Sequence, residues 1–193
     1  MSKRPVVLVV MDGVGISDSE FGNAVKKAYK PTLDNLWENS PHTEIKAHGL
    51  AVGLPTDDDM GNSEVGHNAL GCGQIYSQGA KLVNENIETG EIFKTETWSG
   101  LVNNCKDGKM HFLGLLSDGN VHSHINHLKA LIKKAKEDGV KEVRVHALLD
   151  GRDVPETSAL TYVDDIEAYM AELNDDSFHA CIASGGGRMT ITM

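Results

Sequence analysis

From residue 109 onward the chain repeats one unit, and that repeat constrains the fold more than any other feature. MHFLGLL (110–116) is an apolar run of strand length, SDGNVHS is a polar loop, and HINHLKALIKKAKEDG (124–139) has helical periodicity and is closed by Gly139. KEVRVHALL (141–149), the loop DGRDVPETS, the helical stretch ALTYVDDIEAYMAEL (159–173) and SFHACIAS (177–184) repeat the order, with GGGR as a loop after the last strand. Parallel strands need long crossover connections, and hairpins do not. The expected class is therefore α/β, a parallel-sheet sandwich with crossover helices.

The upstream half is less regular. Pro5–Val10 is a β-branched run that reads as a fully buried parallel strand, ending at MDGVG. KPTLDNLWENS (30–40) reads as a helix with Pro31 in its first turn. TEIKAH (43–48) reads as a short strand, AVGLPTDDDMGN (51–62) as a loop, and a helix opens near Ser63.

Ligands of parallel sheets bind at the carboxyl ends of the strands. Here those ends carry MDG, SDGNVHSH, LDGRD and SGGGR. Any one Asp-Gly is adequately explained as a turn or a helix cap. Four such loops with His, Arg and Asp on one edge point to a shared site.

Composition narrows the class of ligand. The 193 residues carry a net charge of −10, which argues against a general nucleic-acid binder. An anionic substrate would need the few arginines and histidines gathered locally. Three scattered cysteines, Cys72, Cys105 and Cys181, form no CxxC pair, and this fits a reducing compartment, with the cytoplasm as the default. MSKRPVVLVVMDG has basic residues before an apolar run, as a leader would, but the run is short and ends in Asp12 and Gly13. No segment is long enough to span a membrane.

Each candidate residue has a plain alternative. Asp12, at a strand end, is placed to hold a divalent metal or to make a turn. Ser63 is placed to cap a helix through its hydroxyl. The same helix N-terminus would favour a phosphate carried on that hydroxyl. A serine is a poor nucleophile without a base or a metal, and no GxSxG elbow is present, so metal activation with Asp12 is the more natural functional reading. His122, His124 and His127 invite a zinc site, but no carboxylate or cysteine sits at ligand spacing. Gripping phosphate or moving protons suits them better, with capping or half-burial as the plain reading of His122 and His127. Arg152 lies between two aspartates. It makes either a surface ion cluster or a bidentate anion contact oriented by Asp153. SGGGR offers a nest of backbone N–H groups beside Arg188.

As a set, VMDGVG, MGNSEVGHNALGCG, LLSDGNVHSH, LDGRDVPETSA and IASGGGR resemble the amino-terminal part of the cofactor-independent phosphoglycerate mutases, members of the alkaline phosphatase superfamily. The resemblance covers essentially the whole chain. It implies that residues 1–77 form the first piece of a phosphatase domain, that residues 82–193 begin an inserted phosphotransferase domain, and that a hinge lies around Ser77–Ala80. It also implies interconversion of 3- and 2-phosphoglycerate through a phosphoserine. Ser63 would be the acceptor, with Asp12 and Ser63 as metal ligands and His124, Arg152, Asp153 and Arg188 binding substrate. The implied cofactors are two divalent ions, Mn2+ before Mg2+ or Co2+, with no organic cofactor. The implied partner is the small-molecule substrate, with no nucleic acid and no membrane, and the full-length relatives would be monomers. Where many members read SGRYY this sequence has GGGRMTITM, and where they continue it reaches Met193. The expectation is therefore a portion inactive by itself. The alternatives are another metal-dependent phosphomutase or phosphatase of the superfamily, or a non-catalytic phosphoglycerate-binding fragment.

Overall fold

The computed structural model describes residues 4–191. They fall into two compact units, Met1–Ile45 and Lys46–Met193.

The first unit holds two helices, α1 (Ala24–Lys27) and α2 (Pro31–Asn39). Asn23 caps α1 by accepting from the Lys26 amide, and Pro31 opens α2 as expected, where its missing N–H costs nothing. The expected strand Pro5–Val10 is not formed. It has no paired neighbour among the described residues, and Val6 is 95% and Val7 80% exposed. The expected strand at 43–48 is absent as well. Both runs have the composition of strands, but a strand exists only as a member of a ladder.

The second unit contains α3 (Ser63–Cys72), α4 (Gly79–Glu88), α5 (Glu96–Asn104), β1 (Met110–Leu116), α6 (Ile125–Glu137), β2 (Glu142–Leu149), α7 (Ala159–Leu173), β3 (His179–Gly186) and α8 (Arg188–Ile191). The three strands pair in parallel in the order β1-β2-β3, so the α/β class and the crossover helices are those expected. Both crossovers run in the same direction across the sheet. Right-handed connections then place α6 and α7 on one face, and the two helices pack together. Alternation in β2 follows from this. Val143, Val145 and Ala147 point into a core with Ile132, Ala135, Ile166 and Met170, while Arg144 and His146 point the other way. That opposite face carries a hydrogen-bonded row across all three strands, His111 Nδ1 to His146 Nε2 at 2.8 Å and His146 Nδ1 to Ser184 Oγ at 2.7 Å.

Two glycines extend β3 beyond the expected end. Gly185 and Gly186 pair with Ala147 and Leu148, after a bulge at Ala183. A Cβ on Gly185 would sit 2.9 Å from the Ala147 carbonyl, so only glycine lets the strand pass there. The expected backbone nest at SGGGR is accordingly not formed, because its first glycines belong to the sheet. The stretch expected as a hinge is tied down at Gln78. Its amide donates to Gly53 O at 2.9 Å and its side-chain Nε2 to Val52 O at 3.1 Å.

Candidate active site

The loops after β1 and β2 lie side by side at the carboxyl edge of the sheet, and one buried carboxylate joins them. Asp150 Oδ2 accepts from the Ser117 hydroxyl at 2.6 Å. Its Oδ1 accepts from the amides of Gly151, Arg152 and Asp153 at 2.8, 2.9 and 3.1 Å. One side chain therefore shapes the whole DGRD turn and ties it to the end of β1. Burial pushes the Asp150 carboxyl up, but these four donors outweigh it and hold the group below its ordinary range. The two loops are in close contact: a Cβ on Gly119 would lie 2.7 Å from the Asp153 Cβ.

A cleft of about 630 Å³ opens over this edge, lined by His124, His127, Asp118, Asn120, Asp153 and Tyr162, with Thr56 and Asp59 from the acidic loop upstream. His124 is the N-cap of α6, and its Nδ1 accepts from the Asn126 amide at 3.1 Å. In the neutral ring the proton then sits on Nε2, which is left as a donor. Capping therefore falls to His124. His127 is half-buried as expected and His122 is exposed. His127 Nε2 meets Asn84 Oδ1 and so pins α6 to α4. Burial, and then the neighbouring His124, lower the affinity of His127 for a proton. Tyr162, near the start of α7, donates to Asp118 at 2.5 Å. That hydrogen bond, reinforced by burial, pushes the phenol up to about 12.

The other expected site residues are distributed as follows. Arg152 projects from the DGRD turn, exposed, and makes no ion pair with either neighbouring aspartate, so the surface ion cluster does not form. Arg188 is half-buried at the start of α8 and is not among the cleft residues. Asp12 belongs to the first unit and accepts from the Gly13 amide at 2.8 Å in a local turn.

Ser63 is not the cap of α3. Asn62 takes that role, accepting from the Val65 amide at 2.9 Å, and leaves Ser63 exposed as the first helical residue. Its Oγ lies 3.1 Å from His67 Nδ1, one turn further on. The same Nδ1 lies 2.7 Å from the Ser63 carbonyl oxygen, which can only accept. Nδ1 therefore carries the proton and donates, and His67 is not a base toward the Ser63 hydroxyl in this geometry.

Sequence reasoning missed Asp150, Ser117, Asn120 and Tyr162. For Asp150 the signal was present, since an Asp directly before Gly at a strand end commonly caps the turn it opens. The Asp118–Tyr162 and Asp59–Asn120 contacts join positions 44 and 61 residues apart, and no local pattern marks them.

Residues 83–193 match the family described as the BPG-independent PGAM N-terminus. The chain is 53% identical over 194 residues to a probable 2,3-bisphosphoglycerate-independent phosphoglycerate mutase of Leptospira interrogans, an alignment covering 98% of this chain and 35% of the relative. It is 49% identical over 196 residues to the 2,3-bisphosphoglycerate-independent phosphoglycerate mutase of Trypanosoma brucei, covering 100% of this chain and 36% of that one. It thus spans about a third of the length of these curated relatives. Among solved structures, Leishmania mexicana phosphoglycerate mutase, determined at low cobalt concentration, superposes with a TM-score of 0.86 at 48% identity, over 95% of this chain and 34% of that one.

Proposed function

The chain belongs to the BPG-independent phosphoglycerate mutase family, matching its amino-terminal portion, and we propose that it supplies the glycerate-holding loops and the acceptor serine for interconversion of 3- and 2-phosphoglycerate. The observation that carries this is the pairing of His124 and Asp153 in one cleft, with the Arg152 turn locked beside them by Asp150.

The lining suits a phosphorylated hydroxy acid better than a bare anion. Asp153 accepts from a glycerate hydroxyl. His124 Nε2 and the Arg152 guanidinium donate to carboxylate or phosphate oxygens. Ser63 Oγ forms the new bond to phosphorus as the bond to one glycerate oxygen breaks, the serine proton ending on that oxygen. The second glycerate hydroxyl then attacks the phosphoserine, and its proton returns to Ser63 as the Oγ–phosphorus bond breaks. A phosphate on Ser63 is favoured by the amino end of α3. Holding the glycerate in place while it reorients is the main contribution of the loops.

A divalent ion, when bound, would activate the serine hydroxyl and neutralise phosphoryl charge. Asp12 and Ser63 provide one carboxylate and one hydroxyl. Among the described residues there is no group of three or more His, Cys, Asp or Glu fit to hold a metal. Two donors are fewer than the roughly four to six that a divalent ion usually takes. We assign residues 1–77 to a phosphatase-type domain and residues 82–193 to an inserted domain, a division supported by the start of the family match at residue 83. The reaction is placed in the cytoplasm, in keeping with three unpaired cysteines. No helix of the described residues is long and apolar enough to cross a membrane.

The short donor set favours a second reading, in which this chain binds phosphoglycerate without turning it over. One experiment addresses both. The chain is titrated calorimetrically with 3-phosphoglycerate, glycerate and orthophosphate, and 2-phosphoglycerate formation is followed with and without Mn2+ and in Ser63→Ala. Saturable binding that prefers 3-phosphoglycerate to either fragment is the expected result. Metal-dependent turnover lost in S63A selects the catalytic reading, and binding without turnover selects the other. Equal or absent binding of all three ligands overturns both.

A further inference from the structure

The acidic loop before α3 and the loop after β1 meet at one hydrogen bond. Asn120 Nδ2 donates to Asp59 Oδ1 at 2.5 Å, across 61 positions of sequence. Each partner is fixed by its own surroundings.

On one side, Asp59 Oδ2 accepts from the Thr56 amide at 2.7 Å and from its hydroxyl at 2.8 Å. The Asp59 carbonyl accepts from the Gly49 amide at 3.2 Å. Two residues later Gly61 lies so close to Ala47 that a Cβ would be 2.4 Å from its carbonyl oxygen. Asp59 is thus a rigidly held acceptor four positions before Ser63. Burial pushes its carboxyl up, but the bonds from Asn120 and Thr56 outweigh that and hold it below its ordinary range, so it is a charged acceptor at neutral pH.

On the other side, Asn120 is the single non-glycine residue with positive φ among the described residues, at 56°. Asparagine tolerates that region better than most residues, yet glycine would adopt it without strain. A side chain is retained where the backbone favours none, and its amide makes the Asp59 contact. Asn120 follows Gly119, which lies directly on Asp153, and precedes His124 by four positions.

We propose that the Asn120–Asp59 hydrogen bond is the bridge that registers the serine-bearing segment against the substrate loop, making Asn120 and Asp59 positioning residues. Its functional meaning rests on the roles given to Ser63 and His124 above. The bridge couples the start of α3 to the loop that leads into α6. Freeing one end loosens both.

The test uses this chain and three variants. Asn120→Gly keeps the backbone conformation and removes the amide. Asn120→Asp sets two carboxylates face to face. The Asp59→Asn/Asn120→Asp pair restores the bond with donor and acceptor exchanged. Amide hydrogen exchange is followed over residues 56–66 and 117–127, and 3-phosphoglycerate affinity is measured alongside. N120G is expected to speed exchange in the first turn of α3 by about tenfold, as loss of a hydrogen bond to a charged group would do. N120D should exceed it, and the double variant should return both segments to the wild-type rate. A merely local role for Asn120 would leave the α3 amides unmoved. Unchanged exchange there in N120G, or no rescue by the exchanged pair, overturns the bridge. Absence of phosphoglycerate binding in the wild type counts against the proposed function, and the exchange result still decides the bridge. Should N120D fail to fold, N120G alone decides it.

Discussion

Two valine-rich runs in this chain, Val6–Val10 and β2, have opposite fates. Val6–Val10 is exposed, its five residues spanning 53% to 95%. In β2, Val143, Val145 and Ala147 are at most 2% exposed. The difference lies in their neighbours. β2 has β1 on one side, β3 on the other and two helices above it. The Val6–Val10 run has no ladder partner among the described residues, so its backbone groups and side chains are left to water. Apolar composition marks a segment as able to be a strand, and only the surrounding chain makes it one.

That contrast is open to direct attack, and the largest effect is expected in the sheet unit. Ile132→Ala empties a fully buried position on the core side of α6 and should cost about 3 kcal/mol in urea denaturation. Val7→Ala, in the exposed run, should change stability by less than about 0.5 kcal/mol. Equal losses would mean that the amino-terminal run is packed in solution after all.

Next in size is Asp150→Ala, which leaves the Ser117 hydroxyl and three turn amides without their acceptor and should cost about 2 kcal/mol. It should also weaken phosphoglycerate binding, because the DGRD turn loses its shape. Thermal melts and calorimetry on the same sample check both. A destabilised variant with wild-type affinity would show that the turn does not position the ligand.

Arg152→Ala should separate these two effects. Its side chain is exposed and unpaired, so the melt should not move, while 3-phosphoglycerate affinity should fall about tenfold, near 1.4 kcal/mol.

The smallest effects concern pH. His127 has a folded pKa depressed below its ordinary value of 6.5. The unfolded chain therefore binds the extra proton first, and stability from this group is present above pH 6.5 and lost as pH falls below it. Tyr162 behaves in the opposite sense. Its folded pKa is raised from 10 to about 12, so its contribution is complete below pH 10 and lost as pH rises through 12. His127→Asn and Tyr162→Phe should each flatten the corresponding limb of a stability-against-pH curve, and an unaltered limb would remove that residue from the account.

How much of this was legible in the sequence varied with range. β1, β2, α6 and α7 were readable because each combines its own periodicity with a polar loop, and α7 begins and ends where its pattern does. Helices α4 and α5 were not read: α5 is held by tertiary contacts of Trp98, whose Nε1 donates to Asp138 40 residues away. The cleft residues His124 and Asp153 announced themselves through polar loops at strand ends. Asn120 and Asp59 did not, because a hydrogen bond between distant loops leaves no spacing to find. The helix cap was displaced by one position, from Ser63 to Asn62, since both types fit the role and only geometry chooses.

The central claim is that the loops after β1 and β2 form a phosphoglycerate site within this chain. It is tested most directly by following the backbone amide resonances of the 193-residue chain during titration with 3-phosphoglycerate. The account predicts saturable shifts concentrated in residues 117–127 and 150–155, diminished in Arg152→Ala. Shifts centred on the open sheet face around His111 and His146, or no saturable shifts, would contradict it.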